Sequence, residues 1–275
     1  MATLRETKER IGSVRSTLKI TSAMKLVASS RLRKAQNAVE RMRPYEKALG
    51  SILQSTGFHR PAAAGSFPNP RVCIVALSSN TSLCGAFNMN AIRETHMVVD
   101  RYGKENVKVV AVGRKMSEAM RKSGFVQSED YSSLAGNPSY PEASSLSMRL
   151  LESWEKGEYS EILLVYNHFV STSKQQTVVE SLIPEDIEAG ESDFIFEPGR
   201  EELSSSLFPK VVCLRLFTAM LDSAASEHAA RTIAMQTAVD NAESLLEDLT
   251  REYNKARQQK ITSEILDLVS GLTGR

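Results

Sequence analysis

The chain has 275 residues, of which 41% are hydrophobic and 24% are charged, with a formal net charge of +1. These values predict a folded, soluble protein of one large or two ordinary domains, and they exclude a disordered or fibrous chain. The charge is uneven, because residues 1–50 contain 12 Lys/Arg against 4 Asp/Glu, a net of +8.

The first segment predicts a long helix with a coiled-coil seam. Residues 1–43 lack proline, and apolar or small residues recur there in alternating steps of three and four. Lys25 interrupts this seam, although Met24 beside it can turn to the same face. We expect the helix to end near Pro44 or to continue as far as Gly50, with residues 59–70 as a linker. The seam positions are Ile11, Val14, Leu18, Thr21, Lys25, Ala28, Leu32, Ala35, Val39 and Met42.

The middle of the chain predicts a mainly parallel α/β sheet. Residues 71–77, 107–112 and 162–169 are short apolar runs typical of strands buried on both faces. Helical segments at residues 86–102, 115–122 and 142–154 separate or follow them, as in βαβ units. A fourth strand is expected at residues 176–183, polar enough at its start to lie at a sheet edge. Residues 185–202 are acidic and predict an exposed segment.

The loop after the first strand does not match a phosphate-binding motif. Its sequence, from Ser78 to Gly85, is SSNTSLCG, which is neither GxGxxG nor GxxxxGK[ST] and has a single glycine. No GxSxG or HExxH motif occurs, the four histidines are scattered, and the three cysteines form no CxxC pair. We therefore predict no catalytic residue, no metal site, no cofactor, and buried inert thiols.

The last segment predicts a second long helix. From Lys210 onwards about 60 residues lack a breaker, which corresponds to a helix of about 90 Å. Its seam passes through Met235, Ala238, Ala242 and Leu245 and can pair antiparallel with the first helix. The tip, residues 261–272, has its own apolar face and no partner within the chain. Such a face is typical of a binding site.

Several of these stretches resemble a known family. IGSVRSTLKITSAMKLVASSRLRKAQ (residues 11–36) and SEHAARTIAMQTAVDNAESLLEDLTREYNKARQQKITSEILDLVSG (residues 226–271) closely resemble gamma subunits of F-type ATP synthases. The likeness continues in LCGAFN (residues 83–88) and, more loosely, in FIFEP (residues 194–198). Leu272 departs from the usual alanine, and Asn80-Thr81-Ser82 replaces the commoner Asp-Arg-Gly. The lack of a redox-regulatory cysteine insert and of a transit peptide suggests a bacterial member.

The resemblance implies a fold and three domains. The fold is an antiparallel two-helix coiled coil from the two termini, with a Rossmann-like α/β domain inserted between them. The corresponding boundaries are residues 1–58 for the N-terminal helix, 59–208 for the α/β domain and 209–275 for the C-terminal helix.

The resemblance also implies a function without chemistry on this chain. The chain would be the central rotor shaft, bound to the ring of three alpha and three beta subunits, the epsilon subunit and the membrane c-ring. It would lie on the cytoplasmic side of the inner membrane, touching the membrane only through Fo. Residues matching ring contacts are Met24, Lys25, Arg257, Gln258, Thr262, Glu264, Ile265 and Leu268. Phe194 and Glu197 match the foot that faces the c-ring and epsilon.

Two alternatives remain on the residues alone. A nucleotide-binding α/β enzyme with helical arms would need phosphate donors that the loop after the first strand does not offer. A basic coiled-coil protein that binds nucleic acid would need its positive charges in a block beside the seam, whereas here they surround it. No stretch approaches about 18 consecutive apolar residues, so neither alternative nor the main interpretation includes a transmembrane helix.

Overall fold

The computed structural model describes residues 3–57, 71–126, 129–185, 195–197 and 199–273. The elements, in chain order, are α1 (Leu4–Thr56), β1 (Val72–Leu77), α2 (Phe87–Tyr102), β2 (Val107–Val112), α3 (Arg114–Lys122), α4 (Tyr140–Glu155), β3 (Glu161–Ser171), β4 (Lys174–Ser181) and α5 (Arg200–Thr273). Short 3-10 turns lie at Lys104–Asn106 and Ser132–Leu134. The chain divides into two compact units. We call residues 28–231 the mixed unit, and residues 1–27 with 232–275 the helical unit.

The mixed unit contains a four-stranded sheet in the order β2-β1-β3-β4. β1 pairs parallel with β2 and with β3, so that Val72 lies opposite Val107 on one side and Glu161 on the other. β4 returns antiparallel to β3 at the edge. The predicted mainly parallel sheet and its polar edge strand are therefore confirmed, with strand ends within a few residues of the expected ones.

Both faces of this sheet are covered by helices. All six residues of β1 are buried, and they alternate between two cores because successive side chains in a strand point to opposite faces. Ile74 and Ala76 contribute to the core beneath α2 and α3. Cys73 and Val75 contribute to the core that includes Trp154 of α4 and residues of α1 and α5. The apolar runs in the sequence reflect this two-sided burial.

The first helix is longer than the sequence predicted. It neither ends near Pro44 nor stops at Gly50 but continues to Thr56 with Pro44 inside it. An interior proline costs about 3 kcal/mol or more. Beyond it, however, Leu53 is buried with 1% exposure, and Leu49 and Ile52 pack against the same core. Burying large apolar side chains contributes about 1.5–3 kcal/mol each, which is enough to extend the helix past the proline.

The last helix also begins earlier than expected. It starts at Arg200, not at Lys210, and contains Pro209. Leu207 and Phe208, which precede this proline, are buried in the core of the mixed unit. The expected linker at residues 59–70 lies outside the described residues, as does most of the acidic segment.

Within the mixed unit, α1 and α5 run antiparallel. Val39 of α1 packs with Leu221 and Ala225 of α5, whereas the later Leu53 shares a core with the earlier Val211. In the helical unit, Lys25, late in its α1 portion, is hydrogen-bonded to Gln236, early in its α5 portion. Each unit therefore has the pairing that an antiparallel coiled coil requires.

One stretch of α5 is apolar enough, by length and composition alone, to cross a membrane, with a mean hydropathy of 1.2. Half of that stretch is buried within the fold. A helix in the core of a globular protein can have the same length and composition, so these two properties alone do not identify a membrane span.

Candidate functional site

The helical unit contains a closed seam and an open end. Thr7, Ile11, Met235, Val239, Ala242 and Leu249 are buried and form the closed part. Tyr253 and Ala256 are half-buried and are the last residues of α5 with such cover. From residue 257 onwards every side chain that the structure describes is exposed.

Lys25 crosses the seam by a hydrogen bond. Its Nζ donates to Oε1 of Gln236 at 2.7 Å, and Nε2 of Gln236 donates to Oδ1 of Asp240 at 2.6 Å. The charged group that interrupts the heptad pattern is thus half-buried and satisfied within the chain. Met24 beside it is also half-buried. Both residues were predicted to bind a partner; the structure gives Lys25 an internal role as well.

The open end of α5 presents an apolar face. Ile261, Ile265 and Leu268 are 45%, 55% and 69% exposed and recur at helical spacing on one face. Leu266 and Val269 extend it, at 63% and 53%. The side chain of Leu272 lies outside what the structure describes. Large apolar side chains exposed together on a folded protein are typical of a surface that binds a partner.

Polar side chains flank this apolar face. Arg257 and Gln258 are exposed, and Arg257 makes no ion pair with any residue described. Thr262 Oγ1 donates to the backbone oxygen of Gln258 at 2.9 Å, which keeps it close to the helix. Glu264 lies 3.8 Å from Lys260 in an exposed ion pair that contributes little stability. These four predicted site residues therefore lie together on an accessible stretch of about two turns.

A second exposed apolar stripe, on α1, was missed by the sequence reasoning. Ile20, Leu26 and Val27 are 61%, 68% and 53% exposed in the helical unit. Ile20, Ala23 and Val27 recur every three or four residues, outside the seam. This second periodicity was visible in the sequence, but the stronger seam obscured it.

The two predicted foot residues are only partly described. Phe194 lies outside the described residues. Glu197 is exposed, close in sequence to Phe196, whose ring lies 4.9 Å from the guanidinium of Arg200. Ile195 is 94% exposed.

The sequence reasoning also missed a buried polar cluster in the mixed unit. The Asp222 carboxylate is 4% exposed, lies 2.9 Å from Nη2 of Arg43 and is bonded to Nδ1 of His168. It connects α5, α1 and β3. Burial raises the pKa of Asp222, while the charges of His168 and Arg43 oppose that rise. An aspartate in an otherwise apolar part of α5 was the only local sign of it.

The loop after β1 uses its polar groups internally. The Asn80 side chain accepts a hydrogen bond from the backbone N–H of Arg114 at 3.1 Å, and Ser78 Oγ accepts one from Met116 at 2.8 Å. The Lys115 N–H donates to the Ser79 carbonyl at 3.1 Å. These N–H groups open α3, whereas the helix that directly follows this loop is α2. The polar groups of the loop after β1 therefore hold the start of α3 in place.

The three cysteines lie in the interior of the fold. Cys73, Cys84 and Cys213 are free and buried, as predicted. Burial raises the pKa of the Cys73 thiol to about 12, so almost no reactive thiolate is present at neutral pH.

Fold and site together define a class. This is a protein of two long terminal helices with an inserted α/β unit, and among the described residues an exposed apolar surface lies on those helices. Comparison with known proteins identifies the family within that class. The ATP synthase family profile matches residues 3–274.

Curated relatives agree over nearly the whole chain. The ATP synthase gamma chain of Bacteroides thetaiotaomicron is 46% identical, with 98% of this chain and 99% of that protein covered. The gamma chain of Phocaeicola vulgatus is also 46% identical, and that of Flavobacterium johnsoniae is 38% identical, both with 98% of this chain covered. The chain therefore belongs to the ATP synthase gamma-chain family.

Solved structures share the fold. A chain of the Euglena gracilis mitochondrial ATP synthase (OSCP, F1 and c-ring) has a TM-score of 0.71 at 18% identity, covering 99% of this chain and 94% of that one. A chain of the Tetrahymena thermophila central stalk and c-ring has a TM-score of 0.62 at 21% identity, covering 80% and 99%. The predicted fold class, a terminal coiled coil with an α/β insert, is confirmed. Neither the nucleotide-enzyme nor the nucleic-acid alternative has support from these comparisons.

Proposed function

We propose that the chain is the central rotor shaft of an F-type ATP synthase. It couples rotation of an ion-driven c-ring, by protons or sodium ions, to conformational changes at the catalytic sites of the beta subunits. The observation that carries the proposal is the uncovered apolar end of α5, in a chain that belongs to the gamma-chain family throughout its length. The shaft can favour one conformational state of a beta subunit over another only if the free energy of its contacts differs between the two states.

The open end of α5 is the proposed bearing within the alpha–beta ring. Apolar contacts with Ile265 and Leu268 are non-directional, so the shaft can turn without breaking a fixed set of hydrogen bonds. Arg257, Gln258, Thr262 and Glu264 are the proposed polar catches that favour particular angles. Their exposure and proximity support this role.

On α1, Met24 and Lys25 belong to the same proposed ring-binding surface. Because the Lys25 ammonium is bonded to Gln236, we assign it mainly to holding α1 against α5. Met24 and the exposed Ile20 and Val27 would then supply the apolar contacts on this side. The positive charge of residues 1–50 favours a ring surface that carries acidic residues.

The mixed unit is the proposed foot. Glu197 and Phe194 would face the c-ring and the epsilon subunit, and the chain would touch the membrane only through Fo, on the cytoplasmic side of the inner membrane. No ATP chemistry is assigned to this chain. The loop after β1 carries a single glycine and no phosphate-binding motif.

The catch is tested by the double variant Arg257→Ala/Gln258→Ala in the assembled complex in membrane vesicles. ATP-driven ion pumping per ATP hydrolysed should fall about fivefold, which corresponds to a coupling free energy of about 1 kcal/mol. The matched control is Arg251→Ala, which removes an exposed arginine from the same helix that is paired with Glu247 at 3.3 Å. The control should pump normally.

Three outcomes would contradict the proposal, at two different levels. Unchanged pumping by an assembled Arg257→Ala/Gln258→Ala complex would contradict the assignment of these two residues as a polar catch. Stoichiometric ATP hydrolysis by the purified single chain would remove the rotor function itself, and so would failure of the chain to co-purify with alpha and beta subunits.

A further inference from the structure

We propose that a cleft in the mixed unit binds a small organic anion with an aromatic body. The cleft has a volume of about 800 Å³ and lies between α1, α5, the loop after β1 and the segment before α4. This volume is in the range of about 300–1,000 Å³ that small-molecule sites usually have. The site is separate from the proposed ring-binding end of α5, and its existence does not depend on the rotor function.

The floor of the cleft is apolar. It is formed by the facing sides of α1 and α5, where side chains are small enough to leave space above the helix pair. Phe217 and Met42 border this space with an aromatic ring and a thioether, both of which pack well against a flat ring. The remaining floor residues are Ala35, Ala38, Leu221 and Ala224.

The wall formed by α1 carries positive charge without internal compensation. Arg31, Lys34 and Arg41 line the cleft, are exposed, and make no ion pair with any residue that the structure describes. Arg231 also lines it, but its charge is offset by an ion pair with Glu227. Three positive charges therefore remain beside an apolar floor, which favours an anion with an apolar body.

His228 does not add to this charge. Burial lowers its pKa, and the nearby positive charges of Arg231 and Arg31 lower it further, against the opposing effect of Glu227. Because the imidazole is neutral, the positive charge that would attract an anion comes from the three side chains of α1. A bound anion would offset the cations and raise the pKa of His228.

The opposite wall is held in place by hydrogen bonds. Asn80 Nδ2 donates to the carbonyl oxygens of Ser132 and Ala135 at 2.7 and 3.4 Å, joining the two loops that form this wall. Arg231 Nη2 donates to Thr81 Oγ1 at 2.8 Å and fixes the first of these loops to α5. A concave site with a fixed wall favours a small ligand over a protein segment, which would need a longer open groove.

The spacing of the cations limits the ligand. Arg31 and Arg41 are ten residues apart, which corresponds to about 15 Å along a helix. A single carboxylate, sulfonate or phosphate group therefore engages one or two of the three cations, with Lys34 between them. The aromatic body then lies over the floor, where an arginine can also stack on its face.

The test uses benzophenone-4-carboxylate, an aromatic anion that cross-links to nearby C–H bonds under ultraviolet light. The assembled complex is labelled, and the modified peptides of this chain are mapped by mass spectrometry. Labels should concentrate in residues 31–42 and 217–231. In the double variant Arg31→Gln/Arg41→Gln, labelling of these residues by the acid should fall about tenfold. The neutral amide of the probe should label the unsubstituted chain about as weakly as the acid labels this variant.

Arg33→Gln is the matched control, because Arg33 lies on the same helix, is exposed and does not line the cleft. It should label like the unsubstituted chain. Three results would overturn the proposal: labels confined to the exposed end of α5, labelling unaffected by loss of both cations, or labelling of the isolated chain but not of the complex. The last would mean that a protein partner fills the cleft.

Discussion

Gly113→Ala should damage the mixed unit strongly, because the added methyl group has no room there. Gly113 follows β2 with φ +100°, a region that side-chain-bearing residues rarely occupy. A Cβ there would lie 2.3 Å from the carbonyl oxygen of Ser78 and 2.9 Å from its carbonyl carbon, so the backbone of the loop after β1 must move.

The expected decrease in the free energy of unfolding has two contributions. The strained backbone costs about 1–3 kcal/mol. Moving Ser78 also disturbs its bonds to Val112 and Met116, at about 1 kcal/mol each. We expect a total of about 3–5 kcal/mol. With a urea dependence of about 2 kcal/mol per molar, the unfolding midpoint should fall by about 2 M.

The assay is urea unfolding of the purified chain, followed by fluorescence. Trp154 is the single tryptophan and is 1% exposed in the core of the mixed unit, so its emission reports this unit. The control is Gly85→Ala, which has φ +58° but no atom within 4 Å of the added Cβ. It should cost only about 1–2 kcal/mol. If the two variants lose equal stability, the close approach to Ser78 is not what requires glycine.

Two further predictions concern half-buried charged groups. Burial raises the pKa of Glu46 above 4.5, against the opposing charge of Arg215, so the folded state holds this proton more tightly than the unfolded state. The stability that this carboxyl contributes is full below about pH 4 and is lost as the pH rises through the raised pKa, so Glu46→Gln should raise the thermal midpoint at pH 7 and not at pH 4. A stabilisation equal at both pH values would contradict this. In the helical unit, a double-mutant cycle of Lys25→Met and Gln236→Leu, measured by circular dichroism, should give a coupling of about 0.5–1.5 kcal/mol; a coupling near zero would mean that the bridge contributes nothing.

The sequence predicted the strands well because their signal is local. A run such as Val72–Leu77 is buried on both faces, and that environment alone accounts for its composition. The coiled-coil seams were likewise visible, since a repeat of three and four needs no knowledge of the partner. In α5, however, the predicted seam residue Leu245 is 49% exposed, and its neighbour Leu246 is half-buried instead. The family likeness then extended these elements to a complete fold.

The helix ends and the polar contacts could not be predicted in the same way. Pro44 and Pro209 predicted boundaries because a proline is unfavourable inside an isolated helix, whereas Leu53 and Phe208 are buried only once the tertiary core exists. The contact of Arg231 with Thr81 joins residues 150 positions apart, which no local period records. Of the candidate site, the apolar end of α5 was predictable from its unmatched face, but the internal bond of Lys25 was not.

The bond between Lys25 and Gln236 also has a mechanical consequence. A purely apolar seam of two helices tolerates sliding by a whole repeat, because one small or aliphatic residue replaces another at each level. The ammonium group of a lysine in that seam is satisfied by Gln236 in the observed alignment, and a slip of one heptad towards the start of α5 would place it opposite Ala229 instead. The bond therefore favours one alignment of the two helices and opposes sliding of one helix along the other.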